Sequence, residues 1–265
     1  MTRSRKKEAF GTHVFGAWIL TPEGAAIHPG ERTAVIADVH LGYEWARGAA
    51  GDCVPAHSLA ETLARLSSAI DRVRFARLIV AGDLVESARP CRRTANDVRR
   101  LHDWLESRGV TLLALEGNHD RDRLLPARAS APVASRLPSS CVVDGWTIAH
   151  GHQPIDAEQT VSGHFHPVIR AEGIVAPCFL AGPGRIVLPA FSPNAAGCDV
   201  LNGPIPRDWL DGSLRCIAST GSDLLDFGPL PSIRRCHGSP PSSPALSRQR
   251  FPDHRRLRDR SPSER

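Results

Sequence analysis

The sequence predicts an α/β fold whose first half builds a parallel sheet and whose second half is mostly β-strand. Three short apolar segments alternate with two amphipathic helical patterns, and this order is typical of a parallel sheet with crossover helices. After residue 130, short strand candidates separated by Gly and Pro follow one another. The chain has 265 residues, 41% of them hydrophobic, which suits one large domain or two small ones with a buried core.

The first candidate element is an apolar run close to the N-terminus. Residues 14–20 read VFGAWIL and stop at a turn sequence, Thr-Pro-Glu-Gly. We interpret the run as an opening strand rather than a signal peptide, because it is short and does not end at a small-residue cleavage site. No apolar stretch approaches the roughly 18 residues that cross a bilayer, so we expect a cytoplasmic protein without a membrane-spanning helix.

The next five elements predict the parallel sheet. Buried strands are expected at 33–37, 77–81 and 111–115, which are rich in Leu or β-branched residues and do not alternate. Helices are expected over 56–74 and 96–108, where Leu, Ile and Val recur at steps of three and four. Asn96 is the expected N-cap of the second helix, and Gly109 stands just past its end.

Antiparallel pairing is expected in the second half. Residues 141–143 and 146–149 flank Asp144-Gly145, a two-residue hairpin turn. Further strand candidates are 161–166, 178–180 and 185–191. We therefore expect a domain at 9–228, preceded by a basic segment at 1–8.

A Ser-, Pro- and Arg-rich segment follows the predicted domain, at 229–265. It has almost no large apolar residues, so we expect it to be disordered. Residues 232–265 carry nine Arg against three acidic residues, whereas the whole chain has a net charge of only +5. The rest of the chain is close to neutral and gives no sign of a basic binding face. The tail itself could bind nucleic acid without sequence preference, although such tails are more often simply solvated.

The seven cysteines are scattered without a CxxC pair. An odd, dispersed set argues against a disulfide scaffold or a zinc ribbon and fits a reducing compartment. We interpret the cysteines outside the tail as small buried hydrophobic residues.

Side chains that bind metals follow the predicted strands. Six of the twelve histidines lie in or beside strand ends, together with three aspartates and one asparagine. They are His40, His119, His150, His152, His164, His166, Asp38, Asp83, Asp120 and Asn118. Residues two apart in a strand share a face, so Asp38 and His40 are expected to reach the same ion. The same spacing lets His164 and His166 serve one ion or two.

Seven of these side chains form a mixed nitrogen and oxygen donor set. They are Asp38, His40, Asp83, Asn118, His150, His164 and His166. Seven donors are too many for one tetrahedral zinc and fit two ions with open positions, with Asp83 as the candidate bridge. Two ions about 3.5–4 Å apart can hold a hydroxide and bind phosphoryl oxygens. The pattern therefore predicts hydrolysis of phosphate esters. The bland alternatives are that the aspartates are caps and that His150 and His152 form a structural turn.

Five short motifs resemble those of the calcineurin-like metallophosphoesterase superfamily. They are DVH at 38–40, GD at 82–83, GNHD at 117–120, HGH at 150–152 and GHFH at 163–166, in the family's order. A lone DxH or GD is weak evidence, whereas five ordered motifs are specific. The resemblance implies a two-sheet sandwich flanked by helices, in α/β/β/α layers, with a pair of metal ions at strand ends.

The resemblance also implies a role for each motif residue. Asp38, His40, Asp83 and His166 would hold one ion, and Asp83, Asn118, His150 and His164 the other. His119 would protonate the leaving oxygen after attack by a metal-bridging hydroxide, with Asp120 orienting its ring. The pattern leaves two roles open for His152, contact with substrate or support of a metal ligand from behind. Two divalent ions are implied, with manganese expected and iron or zinc as the alternatives.

Longer stretches resemble a bacterial and archaeal subfamily, some of whose members are encoded beside a DNA ligase and a helicase. These stretches are VIADVHLGYE, LIVAGDLVES and SGHFHPVI, with LPAFSP downstream. The resemblance implies a phosphate-ester substrate, and a nucleic-acid diester cut during DNA repair is one candidate. A small nucleotide or a monoester is the other, since both present the same phosphoryl group. A non-catalytic metal-binding scaffold is the alternative of another class. No membrane partner is expected, and protein partners are not indicated.

Two further groups have both a functional and a structural interpretation. Tyr43, Glu44 and Trp45 follow the first motif and either line a substrate entrance or pack against the next helix, which we favour. Arg89, Arg92 and Arg93 follow the GD motif and are candidates for phosphate contacts, although a solvated helix face is the more common arrangement.

Overall fold

A mixed sheet carries the first half of the chain. The protein is described by a computed structural model that covers residues 11–120 and 137–238, and in these ranges the first sheet has six strands in chain order. They are β1 (His13–Phe15), β2 (Trp18–Leu20), β3 (Ala26–His28), β4 (Thr33–Ile36), β5 (Arg77–Val80) and β6 (Thr111–Ala114). β1 to β4 are antiparallel, and β4, β5 and β6 are parallel, which confirms the three predicted parallel strands.

The opening segment is a hairpin and not the single strand that the sequence predicted. Phe15 pairs with Trp18, so the chain reverses over two residues between β1 and β2. Gly16 has a φ of 60°, a left-handed conformation that glycine adopts without a steric penalty. An uninterrupted apolar run hides such a turn, because only one small residue marks it.

Three helices lie in the first half: α1 (Tyr43–Ala49), α2 (Ser58–Arg72) and α3 (Arg92–Glu106). The two longer helices were predicted, but α3 begins at Arg92, so Asn96 is not its cap. Thr94 and Asp97 are buried with the apolar residues of α3, and this polar part of the buried face was invisible to a hydrophobic pattern. Gly109 follows α3 with a φ of 68°, as predicted. The seven residues of α1 are too few to show a period.

A second, larger sheet follows. In the described ranges it contains β7 (Ser140–Val143), β8 (Trp146–Ala149), β9 (Thr160–Ser162), β10 (Pro167–Ala171), β11 (Ile174–Gly182), β12 (Arg185–Val187), β13 (Cys198–Asp199), β14 (Arg215–Ser219) and β15 (Leu224–Pro229). The order is β13-β10-β11-β12-β9-β8-β7, with β14 also paired to β11 and β15 to β14. Most pairs are antiparallel, as predicted, but β9 is parallel to both β8 and β12, and β10 to β13. The predicted Asp144-Gly145 hairpin joins β7 and β8.

The two sheets pack face to face, with helices outside. Val35 and Ile79 of the first sheet share one fully buried cluster with Phe179 of the second. α2 and α3 cover the other face of the first sheet, through residues such as Leu66 and Leu101. A 3₁₀ turn (Arg207–Leu210) and the helix α4 (Leu230–Gly238) cover the second sheet. These layers confirm the α/β/β/α sandwich.

The start of the predicted tail is wrong for residues 230–238, which form α4. Leu230 is fully buried, and Ile233 packs against the cluster that contains Trp209. These two apolar side chains attach α4 to the second sheet. Residues 1–8 and 239–265 lie outside the described ranges, and their predicted character stays a prediction.

The remaining predictions from composition have mixed outcomes. None of the helices in the described ranges is long and apolar enough to cross a membrane. The six cysteines before Cys236 are free, but only Cys178 and Cys216 are buried, so our interpretation of this set as buried was wrong. The cytoplasmic location stays a prediction.

Candidate metal centre

The loops after β4, β5 and β8 bring three predicted ligands into contact. His150 Nε2 lies 2.9 Å from Asp38 Oδ1 and 3.3 Å from Asp83 Oδ2. All three side chains are almost completely buried. Because the carboxyl ends of parallel strands share an edge of the sheet, residues far apart in sequence meet here.

Asp38 also connects to the loop after β9. Its Oδ2 accepts a 2.8 Å hydrogen bond from the backbone amide of His164 and lies 3.3 Å from His166 Nε2. The rings of His40 and His166 have centroids 5.5 Å apart. Candidate donor atoms of Asp38, His40 and His166 lie within 4.8 Å of one another, a spacing that one ion can bridge.

His164 lies at the same centre, and Asn118 directly precedes His119, whose backbone amide donates a hydrogen bond to Asp83 Oδ1. The ring of His164 is 4.9 Å, centroid to centroid, from that of His150. Asn118 Oδ1 is buried and has no hydrogen-bond partner among the described residues. A buried carbonyl oxygen without a partner is costly, and coordination of a cation removes that cost.

The ligands do not reach the centre through strand alternation, so that part of the sequence argument was wrong. β4 ends at Ile36 and β9 at Ser162, before the motif residues begin. Five predicted ligands instead have left-handed backbones, with φ between 46° and 70°. They are Asp38, His40, Asp83, His164 and His166. Each such residue costs about 1–3 kcal/mol, and this strain is typical of functional sites.

Two glycines permit the close approach of these loops. A Cβ atom on Gly117 would overlap the carboxylate of Asp83, and one on Gly163 would overlap Asp38 and the side chain of Ala37. The glycines of the GNHD and GHFH motifs are therefore needed for space and not only for turn formation.

Electrostatics indicate a site built for positive charge. Burial would raise the pKa of Asp38, but hydrogen bonds from His150 and His166 outweigh it and lower that pKa. Burial would also raise the pKa of Asp83, but the hydrogen bond from His150 and other contacts outweigh it, so this pKa is lowered as well. Burial would lower the pKa of His150, yet the two carboxylates raise it to about 9. The proton on His150 therefore occupies the place of a cation between two buried carboxylates. This charge pattern, the mixed donors and the free Asn118 oxygen all fit divalent ions.

The raised pKa of His150 predicts how the metal-free protein responds to pH. Because the folded pKa of about 9 exceeds the ordinary 6.5, protonation stabilises the fold fully below pH 6.5, and this stabilisation is lost as the pH rises through 9. Urea unfolding in EDTA should therefore give an unfolding free energy lower by on the order of 3 kcal/mol at pH 9.5 than at pH 6.5. Saturating metal should remove this trend, because bound ions require deprotonated ligands. An unchanged free energy in EDTA would contradict the assignment.

Asp120 does not orient His119, and this correction changes its role. Its carboxylate accepts three backbone N–H groups at 3.1–3.2 Å, from Leu84, Val85 and Gly117. Adjacent side chains diverge, so Asp120 faces the loop after β5 while His119 faces the metal ligands. Burial raises the pKa of Asp120 more than these amides lower it. Asp120 therefore fixes the GD loop to the GNHD loop.

Replacing Asp120 with Asn should destabilise the protein. The amide NH₂ would meet backbone N–H groups that need an acceptor, leaving at least one buried donor unpaired, at a cost of about 2–4 kcal/mol. Urea unfolding of the variant measures this loss. Asp71→Asn, on the exposed side of α2, is the matched control and should change the free energy by less than about 0.5 kcal/mol. Equal stability of the two variants would show that the amide contacts do not matter.

Sequence reasoning missed Glu86. Its backbone carbonyl accepts a 2.6 Å hydrogen bond from His119 Nδ1, and its Oε2 lies 3.0 Å from His40 Nδ1. Burial would lower the pKa of His40, but Glu86 and the nearby aspartates raise it. The one available signal was that Glu86 is the acidic residue closest after Asp83 in the same loop.

His152 lies beside the metal ligands. Its Nδ1 is 3.0 Å from Nδ1 of His150, and its ring is 6.3 Å from that of His164. It therefore contacts a predicted ligand directly, while its contact with substrate stays a prediction.

Comparison with known proteins places this geometry in a family. The chain matches the calcineurin-like phosphoesterase family over residues 31–172, more than half of its length. The crystal structure of Pseudomonas putida nuclease MPE is similar, with a TM-score of 0.56 and 23% identity over 78% of this chain and 94% of that one, and it shares the fold. Yfce, a phosphoesterase from E. coli, gives a TM-score of 0.34 and 16% identity, over 63% of this chain and 84% of that one. No curated protein sequence matches significantly. The chain belongs to the calcineurin-like phosphoesterase family, whose members hydrolyse phosphate esters with bound metal ions.

Proposed function

We propose that this metal-dependent phosphoesterase cleaves phosphodiester bonds in nucleic acid and uses two divalent ions. The convergence of the buried side chains of Asp38, Asp83 and His150 is the observation that carries the proposal. Two buried carboxylates this close together are stable only if a positive charge lies between them. In the metal-free protein the proton on His150 supplies that charge, and a metal ion would supply it in the loaded enzyme.

The family resemblance implies two ligand groups. Asp38, His40, Asp83 and His166 would hold one ion, and Asp83, Asn118, His150 and His164 the other. When bound, the ions supply a nucleophile at neutral pH and positive charge for the phosphoryl oxygens. Nitrogen and oxygen donors without sulfur favour manganese, with iron and zinc as alternatives.

His119 is the proposed proton donor. Its Nδ1–H is directed to the carbonyl of Glu86 at 2.6 Å, which leaves Nε2 for the leaving oxygen. Its backbone amide donates a 2.8 Å hydrogen bond to Asp83 Oδ1, so the loop that carries His119 is fixed to the proposed bridging carboxylate. His40 lies against the ring at 5.1 Å, centroid to centroid, and limits its rotation.

Nucleic acid is the substrate we favour. The subfamily resemblance of the motif stretches supports it, and the Pseudomonas putida protein that shares the fold is named a nuclease. A monoester or a small nucleotide reaches the same ligands, and the two classes separate only by assay.

The test is a substrate panel with and without Mn²⁺, with Fe²⁺ and Zn²⁺ in parallel. It contains single-stranded DNA, single-stranded RNA and the mono- and diesters of p-nitrophenol. We expect Mn²⁺-dependent cleavage of a nucleic-acid strand. Hydrolysis of small esters with every strand intact would assign the small-molecule alternative, and two bound metals without any hydrolysis would assign the scaffold.

A further inference from the structure

A cleft of about 410 Å³ lies between α1 and the beginning of α3. One wall comes from α1, with Trp45, Ala46 and Ala49, and the other from the loop before α3, with Ser87, Arg89 and Cys91. The volume lies in the range of small-molecule sites.

The cleft adjoins the metal centre. Ser87 directly follows Glu86, which contacts His119 through its carbonyl and His40 through its carboxylate. Gly42, also in the lining, is two residues after His40. The backbone amide of Glu86 donates to the carbonyl of Leu41 at 3.0 Å, so both walls are fixed to the catalytic loops. Glu86 therefore links the lining residue Ser87 to the proposed proton donor His119.

Trp45 is held with part of its ring accessible. Its Nε1 donates a 2.8 Å hydrogen bond to Asp97 Oδ2, and the guanidinium of Arg93 lies 4.9 Å from its ring centroid. Arg93 and Asp97 are one turn apart on α3, so they hold the indole from one side. Ala46 and Ala49, which follow on α1, are small and leave the space beside the indole unfilled.

We propose that this cleft binds the base of a nucleotide next to the scissile phosphate, with Trp45 as its stacking surface and Arg89 as a cation at the rim. The proposal rests on the proposed function, because it assigns a base to the substrate. A fixed indole beside an arginine is an arrangement that binds planar bases without sequence preference. Our favoured interpretation of Trp45 as a packing residue thus accounts for its contacts with Arg93 and Asp97, and the part of the side chain that lines the cleft has a second role.

Cys91 reports occupancy of the cleft independently of catalysis. It lines the cleft, and hydrogen bonds, first from the backbone of Thr94, lower the pKa of its thiol, which favours reaction with iodoacetamide. Cys53 is exposed and outside the lining, so it serves as the internal reference. The rate of alkylation at each cysteine is measured by mass spectrometry in the Mn²⁺-loaded chain.

The two probes are thymidine 5′-monophosphate and 2-deoxyribose 5-phosphate, which differ only in the base. We expect thymidine 5′-monophosphate to halve the alkylation rate of Cys91 at a concentration about tenfold lower than 2-deoxyribose 5-phosphate requires. The alkylation rate of Cys53 should not change. Equal protection by both would show that the cleft recognises phosphate alone, and no protection would show that it is not a nucleotide site. Either result overturns the proposal.

Variants at Trp45 test the stacking surface. Trp45→Leu should abolish the tenfold difference, and Trp45→Phe should retain most of it. The matched control is Trp104→Leu, because Trp104 lies on α3 outside the cleft, where the guanidinium of Arg108 stacks on its ring. The tenfold difference should persist in this variant. A persistent difference in Trp45→Leu would refute the role of the indole. Protection reports binding and does not depend on strand cleavage, so it can succeed where cleavage fails, and the two proposals are tested separately.

Discussion

Replacing Asp83 with Asn is expected to reduce kcat/KM for phosphodiester hydrolysis by about a thousandfold or more. The substitution keeps the size of the side chain and an oxygen for the amide of His119, 2.8 Å away. It removes the negative charge that lies 3.3 Å from His150 and that both proposed ligand groups share. A loss of several kcal/mol of charge stabilisation corresponds to this reduction in rate.

The measurements are steady-state kinetics with Mn²⁺ and metal content after gel filtration, where we expect at most one tightly bound ion. Asp103→Asn is the matched control, because Asp103 lies on the exposed side of α3, and it should keep full activity. Near-normal activity of Asp83→Asn would show that this carboxylate does not bridge two ions.

Replacing His119 with Ala is expected to reduce kcat by about 10²–10⁴-fold on substrates with an alkoxide leaving group, such as a DNA strand. The ring is the proposed source of the proton for that oxygen, because its Nδ1–H is directed to the Glu86 carbonyl and Nε2 remains for the leaving group. A p-nitrophenolate leaving group needs no proton, so the same variant should lose much less activity on p-nitrophenyl diesters.

The contrast between the two substrates separates acid catalysis from damage to the site. Metal content of His119→Ala should equal that of the unmodified chain, and His102→Ala, a half-buried histidine on α3, is the control for removing an imidazole. An equal loss on both substrates would mean that His119 acts in another way, for example by positioning the phosphoryl group.

Much of the fold followed from local patterns. β4 and β5 are apolar runs because both of their faces are buried, and Leu112 and Leu113 of β6 are partly buried against the two core clusters. The Asp144-Gly145 turn has the positive φ angles that its residue types favour. The N-terminal hairpin and the start of α3 did not follow, because a single glycine and a partly polar buried face determine them. Such features depend on what packs against them.

The candidate site was predictable as a set of residues and not as a set of contacts. The strands β4, β5 and β6 end at one edge of the sheet, and this explains why the sequence predicts Asp38, Asp83 and Asn118 as members of one site. The role of Asp120 was not readable, since its partners Leu84 and Val85 lie about 35 residues earlier. Glu86 was missed for the same reason, because its importance comes from touching His40 and His119 and not from a motif.

The predicted metal ligands come from both sheets of the sandwich: Asp38, Asp83 and Asn118 follow strands of the first, and His150, His164 and His166 follow strands of the second. An ion held by such a mixed set would link the two sheets, and it could be bound with all of these ligands only after the sheets have packed together. Metal affinity is then also cohesion: at a hundred times its Kd, each ion adds about 2.7 kcal/mol to the free energy of unfolding. When the metal is scarce, the protein should therefore be less stable as well as inactive.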